Sequence, residues 1–323
     1  MPVTDKYRHS AGLRTAFRLW LPSAQDASLL AGLTFVVILG ILPLLELAAV
    51  ALGLDPNFRS SNSTLAGSIS TALDGNNLRS ILRSAGFATI AAILQFAVAL
   101  LAARRLFISG PKMRWLILLL LVPLSITPIA ASLMWKSLMD LQFGLLNQLI
   151  ASAGLRRIPW LSTLPVSYPP VFTGFSEINW GQVSILLADS WLWTPFLIGG
   201  QLLAFSRVPH RLLDAARLEG ANSEQIFWRL VCPLSMPYLS LLFFLRFVDG
   251  YRAFDNAWAF FGEQAPIAQF TSRVYAVGYL GRDYAAAAIL AIAGTLLVTP
   301  VTTYLLWRIR QILGRVSREE NGN

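Results

Sequence analysis

SRVPHRLLDAARLEGANSEQIFWRLVCPLSMP, residues 206–237, lies between two segments apolar enough to sit in lipid, yet it carries charge, caps and a corner. Pro209 suits the first turn of a helix, where a missing N–H is no loss. Leu212 to Leu218 favours helix, and Gly220 supplies the left-handed residue that ends one. Asn222 with Gln225 three residues on makes a capping-box pattern, and Ile226, Phe227 and Leu230 carry a second helix onward. The stretch therefore predicts two short helices meeting at a Gly-Ala-Asn corner between membrane spans. Ala215 and Ala216 leave a low-relief face, Asp214 and Glu219 offer anionic anchors, and Leu212 and Leu213 offer apolar ones. A helix this short is marginal alone in water. It needs its own membrane domain on one side; on the other, a partner groove and a partnerless interfacial position fit the spacing equally well.

The rest of the chain explains why such a corner is unusual. Of 323 residues, 55% are hydrophobic and only 13% charged, and the mean hydropathy of +0.57 identifies an all-α integral membrane protein. Cys232 is the only cysteine, so no disulfide framework exists, and His9 and His210 alone cannot build a zinc site. The net charge of +9 does not call for nucleic acid, because the basic excess of a membrane protein in a lipid bilayer sits in its cytoplasmic loops.

Residues 1–27 are basic, and Leu13, Ala16, Phe17 and Trp20 share a face, as in an amphipathic helix at a membrane interface. Six apolar spans follow, at about 29–54, 83–103, 115–135, 185–205, 231–248 and 285–307, each near the ~20 residues that a crossing helix needs. The transmembrane domain is thus 28–310, with a short tail at 311–323. Six spans place both termini on one side. With the termini inside, each of the four inner segments holds four Lys or Arg, and the longer outer segments share the other ten of the 26. The positive-inside rule then puts both termini and the 206–230 loop in the cytoplasm. Outside, residues 156–182 combine four prolines with Trp160, Tyr168, Phe172, Phe175 and Trp180, which predicts an ordered surface loop.

Absent chemistry narrows the function. None of Lys6, Lys112 and Lys136 follows a glycine, so there is no phosphate-cradling P-loop, and no G-x-S-x-G elbow or H-E-x-x-H helix occurs. If a nucleotide drives this protein, another chain binds it.

Asp214-Ala215-Ala216, then Gly220, Ile226 and Pro233, resembles the E-A-A-x-x-x-G-x(9)-I-x-L-P signature of ABC-importer permeases. The likeness extends further. Residues 209–237 resemble the carbohydrate-type form of that signature. Asp189, Trp191, Trp193, Thr194, Pro195 and Phe196 resemble its D-x-W-x-W-T-P-F entry to the fourth span. Phe143 to Asn147, Phe254-Asp255 and Tyr284-Ala285-Ala286 match the family pattern after the third span and around the fifth and sixth. The match covers roughly 115–310. Three positions depart from it: Asp214 is one methylene shorter than the usual glutamate, Glu219 is one longer than the usual aspartate, and Phe261 to Pro266 lacks one of two paired glycines.

The resemblance implies a type I ABC importer permease fold with a cytoplasmic coupling helix, in the inner membrane of a bacterium. It implies a second, homologous but different permease, two ATPase subunits that bind ATP and magnesium, and a solute-binding protein outside. Leu212, Leu213, Asp214, Ala215, Ala216, Glu219, Gly220 and Ala221 would then couple to the ATPase through the 209–222 helix. A sugar or sugar-like solute is implied, with glycerol phosphate or another small polar solute as the alternative.

Polar groups within the spans each need a reason, since a charge at a helix centre costs about 2.5–3.5 kcal/mol on insertion scales. Glu46 and Asp249 lie near outer ends, and Arg246 and Asp249 are spaced to pair. Gln95 and Gln201 suit interhelical bonding. Trp193, Gln201 and Asn256 are the candidates for a substrate pathway. A membrane enzyme using Asp189, Asp249 or Asp255, or a membrane scaffold without a pathway, are the rival readings.

Overall fold

The computed structural model describes residues 41–55, 64–109, 122–164, 179–262 and 269–321. Every regular element among them is a helix: α1 (Leu42–Ala51), α2 (Leu65–Ala72), α3 (Gly75–Ser109), α4 (Pro128–Leu138), α5 (Leu145–Ser152), α6 (Trp180–Ser206), α7 (His210–Leu218), α8 (Ser223–Ile226), α9 (Cys232–Tyr251), α10 (Asp255–Phe261), α11 (Phe270–Tyr275) and α12 (Tyr284–Asn321). The basic helix expected before residue 21, the first half of the first span and most of the aromatic outer loop lie outside the described residues.

Four described helices are long and apolar enough to cross a membrane: α3, α6, the unit Ser223–Phe261 and Tyr284–Tyr304 of α12. Hydropathy located them but set their ends too short. α3 has 35 residues, roughly 52 Å at 1.5 Å per residue, well beyond the ~30 Å of a bilayer core. α12 continues past 310 to Asn321, so no break in the backbone marks the expected tail.

The third expected span needs correction. Within its described part, the chain makes a single 3₁₀ turn at Pro123–Ser125 and restarts as α4, with Thr127 extended at ψ 144°. Pro128 lacks an N–H and its ring drives the preceding residue out of the helical region. A window that averages hydropathy does not see this break.

α3 is the central helix, packing mainly on α6 and α9; α12 packs on α1, α2 and α9, and α10 on α4 and α6. α3 presents Ala88, Ala92, Ala99 and Ala103, all fully buried, to its neighbours. Small residues let helices approach closely where lipid gives no hydrophobic advantage to association. Opposite them, Leu82, Ile93, Val98 and Leu101 are more than half exposed. At Gly200 of α6 an added Cβ would sit 2.7 Å from a methyl of Leu242 on α9, so a larger residue there would displace that side chain.

Three apolar clusters fill the bundle, the first at the Ala99–Ala103 end of α3 and the other two at the level of Ile81–Ala88. At one end Phe205, Leu213, Ile226, Phe227 and Val231 bury the α7–α8 corner against α3. Leu290 and Phe270 centre a second cluster, and Met139, Ile185 and Phe260 a third beside α4 and α10. In that third region Asn147 pins the chain on either side of α5, donating to the Asp140 and Ile158 carbonyls at 3.1 and 3.0 Å and accepting from the Ile158 N–H at 2.9 Å. Trp160 packs edge-on to Trp180 at 5.4 Å, and Ser184 donates to the Trp160 carbonyl at 2.8 Å. The described start of the aromatic loop is therefore ordered, as its prolines and aromatics predict.

Candidate functional site

The corner expected from 206–237 forms. Pro209 differs from expectation: it is extended (φ −60°, ψ 129°) and caps α7 instead of entering its first turn. Its φ suits both conformations, and its carbonyl accepts from the Leu212 N–H at 3.1 Å. α7 ends as predicted. Gly220 has φ +84°, the Ala221 N–H reaches back to the Ala216 carbonyl at 3.0 Å, and the Gly220 N–H reaches the Arg217 carbonyl at 3.0 Å. These paired bonds make a Schellman stop. The Asn222–Gln225 capping box is complete in both directions, at 2.8 and 2.9 Å. From α8 the chain passes through a π-helical segment, Phe227–Val231, directly into α9.

The eight coupling candidates separate by exposure. Leu213 is inside the protein's own core, 5% exposed, and is not available to a partner. Ala216 and Ala221 are half-buried, and both pack against that core. Leu212, Asp214, Ala215, Glu219 and Gly220 face outward. Asp214 accepts from Arg217 one turn on at 2.9 Å, with both side chains about two-thirds exposed. Sequence reasoning missed Leu218, 90% exposed at the end of α7 beside Gly220. The available signal was that a leucine four residues after Asp214 must share its outward face.

Further along the bundle, five helices meet in a buried polar network. Asp189 of α6 pairs with Arg246 of α9, each side chain 1% exposed. Gln95 of α3 donates to Asp189 Oδ2 at 2.6 Å and accepts from Arg246 Nε at 2.5 Å. Asn256 of α10 donates to Asp189 Oδ1 at 2.9 Å, and Ser132 of α4 donates to Asn256 Oδ1 at 2.6 Å. Arg246 Nη1 also donates to Asp249 at 3.3 Å, the one pairing that sequence spacing anticipated. A buried charge must be neutralised or bonded, and here each is. Asp189 is the residue that spacing could not pair with Arg246, because 57 positions separate them.

A cavity of about 190 Å³ opens beside this network, lined by Asp189, Trp193, Asp249, Arg252, Asp255 and Asn256 among others. An apolar cavity of about 330 Å³ shares Trp193, Asp249 and Arg252 with it and adds Phe196 and Phe244. Trp193 and Asn256 are thus brought together. Gln201 is not: it is fully buried and donates to the Phe96 carbonyl at 3.3 Å. Asn256 lines the cavity, but both ends of its amide are already bonded within the network. Trp193 lies 5.8 Å from the Arg246 guanidinium.

Residues 80–318 match the family described as "Binding-protein-dependent transport system inner membrane component". The chain is 26% identical over 221 residues to the glucose import system permease GlcT of Saccharolobus solfataricus, covering 67% of this chain and 71% of that one. It is 26% identical over 231 residues to the diacetylchitobiose uptake permease DasB of Streptomyces coelicolor, covering 71% and 67%. With the trehalose/maltose permease MalF of Thermococcus litoralis, 27% identity extends over 45% of this chain and 44% of the relative. In fold it is similar to a chain of a bacterial ABC transporter for the acidic polysaccharide alginate, with TM-score 0.71, 15% identity and coverage of 94% and 99%. The family model covers most of the chain, including both the capped corner and the buried network: this protein belongs to the binding-protein-dependent transport system inner membrane components and is a multi-pass membrane permease.

Proposed function

We propose that the chain forms half of the translocation pathway of an ATP-driven sugar importer and is driven through α7. A capped, rigid corner that turns Leu212, Asp214, Ala215 and Leu218 outward carries this reading. A helix short enough to be unstable alone is held rigid by its own protein on one face and left open on the other. The basic residues of the inner segments gather on the same side, so the corner and both termini face the cytoplasm. Two ATPase subunits, binding ATP and magnesium, seat on it; a second, homologous permease completes the pathway, and a solute-binding protein docks outside. Closure of the ATPase pair pulls α7, and the pull passes to α6 and α9, which are continuous with it. ATP and the loaded binding protein shift the equilibrium only by binding its states unequally.

The relatives named for glucose, diacetylchitobiose and trehalose or maltose support a saccharide as the solute. The cavity favours it over glycerol phosphate, because Asp189, Asp249 and Asp255 outnumber Arg246 and Arg252 around it and repel a dianion. Trp193 and Phe254 supply the apolar faces there.

Copurification tests the reading. Purified from its native membrane, the chain is expected to bring a P-loop ATPase with it, and Gly220→Val is expected to abolish uptake without reducing membrane insertion. If no ATPase accompanies the chain, or if enlarging Ala216 and Gly220 leaves ATPase binding and uptake intact, the coupling role of α7 is wrong.

A further inference from the structure

We infer that Arg104 is a positioning residue that clasps α3 to the α7–α8 corner, so that the corner moves three spans and not only the two it is continuous with. The inference rests on the importer reading above. α6 leads into the corner and α9 leaves it, so both follow it through covalent backbone. α3 has no such link: Arg104 and Glu224 are 120 residues apart. Arg104 Nη2 nevertheless donates to Glu224 Oε1 in the first turn of α8.

The surroundings make this more than a surface ion pair. The Arg104 side chain is 13% exposed, and its guanidinium lies 5.9 Å from the ring centres of both Phe227 and Trp228. A planar cation held between a carboxylate and two rings keeps one geometry, whereas a solvated lysine–glutamate contact does not. Phe107, one turn further along α3, packs on Phe205 at 5.7 Å and on Phe227 at 6.4 Å. The neighbouring Arg105 is exposed, so one of two adjacent arginines is turned into the corner.

What α3 carries at its other end gives the clasp a use. From Arg104 back to Gln95 the helix contains neither glycine nor proline, and such a segment transmits displacement without kinking. Gln95 bonds both Asp189 and Arg246 beside the cavity. Movement of the corner thus reaches the cavity along α3 as well as along α6 and α9.

The test uses the assembled transporter with ATP and vanadate as the probe. Cys232, the only cysteine, is replaced by serine, and spin labels are placed at Ile108 on α3 and Ser223 on α8. In the parent complex the label-to-label distance is expected to stay constant on trapping, because the two elements move together. In Arg104→Gln it is expected to shift by about 2 Å or more, the scale of helix displacement in such transitions. Arg104→Glu combined with Glu224→Arg returns the ion pair without the cation between the rings, and is expected to bring the distance part of the way back, a rescue that a residue acting only on stability would not give. A distance unmoved by trapping in both parent and Arg104→Gln overturns the inference. If Arg104→Gln fails to assemble, Glu224→Gln takes its place, and an exchanged pair that shifts as far as the single variant overturns the inference too. Absence of any ATPase from the parent complex overturns the importer reading and this inference with it, a result distinct from an unchanged distance in an active complex.

Discussion

The α7–α8 corner and the Asp189–Arg246 network hold their polar groups in opposite ways. At the corner, backbone devices fix the geometry: the Gly220 stop, the Asn222 cap and an apolar floor of Leu213 and Phe227 leave Asp214, Glu219 and Leu218 facing outward. In the network, side chains hold one another across five helices, and little reaches solvent. The first arrangement keeps a surface rigid while leaving it free to bind. The second fixes how spans sit against each other, so a change there alters the whole bundle.

Mutation separates the two. Arg246→Met is expected to produce the largest loss, about 3–5 kcal/mol, because it leaves Asp189 buried and unpaired; thermal unfolding in detergent measures it. Adding Asp189→Leu is expected to recover part of that loss, and a double variant as unstable as the sum of the singles would show that the two side chains do not act as a pair. Asn222→Ala at the corner is expected to cost about 1 kcal/mol, the usual value of an N-cap, while reducing uptake more than this stability loss explains. An uptake rate that merely follows the amount of folded protein would reduce the corner to a structural turn.

The smallest effect belongs to neither region. Asp140, in the turn before α5, accepts from the backbone N–H groups of Phe143 at 2.8 Å and Gln142 at 2.9 Å. Those bonds, Phe143 foremost, hold its carboxyl below the ordinary 3.8. A lowered acid pKa contributes stability above the ordinary value and loses it as pH falls through the lowered one. Asp140→Asn should therefore flatten the stability profile only on the acid side of pH 4, and an altered profile at neutral pH would contradict the assignment.

How much of this was legible in sequence depended on the range over which each cause acts. The corner's caps and stop were read in full, because they are set by residues within five positions of one another; the conformation of Pro209, the inward turn of Leu213 and the outward Leu218 escaped. Helical class and the existence of the long spans followed from hydropathy, which is a sum and tolerates local error. That same averaging hid the break at Pro123–Pro128, where one missing N–H and one ring outweigh an apolar neighbourhood. The Asp189–Arg246–Gln95 network was invisible for another reason. Periodicity reports which face a residue occupies but not which helix lies opposite, so Arg246 was matched to Asp249 on its own helix while its buried partner lay on another. Among pathway candidates, Trp193 and Asn256 proved neighbours and Gln201 did not, again a question of which helix each one faces.

The π-helical segment Phe227–Val231 sets the phase of everything after it. Its Cys232 N–H bonds the carbonyl of Phe227, five residues back and not four, and that single inserted residue offsets the downstream face by about 100°. Were the segment ordinary α-helix, the side of α9 that carries Arg246 would turn by that angle away from Asp189. A helical wheel drawn unbroken from the capping box would therefore assign the wrong residues to lipid. The acid–base pairing at the heart of the bundle is indexed by a one-residue insertion four turns away.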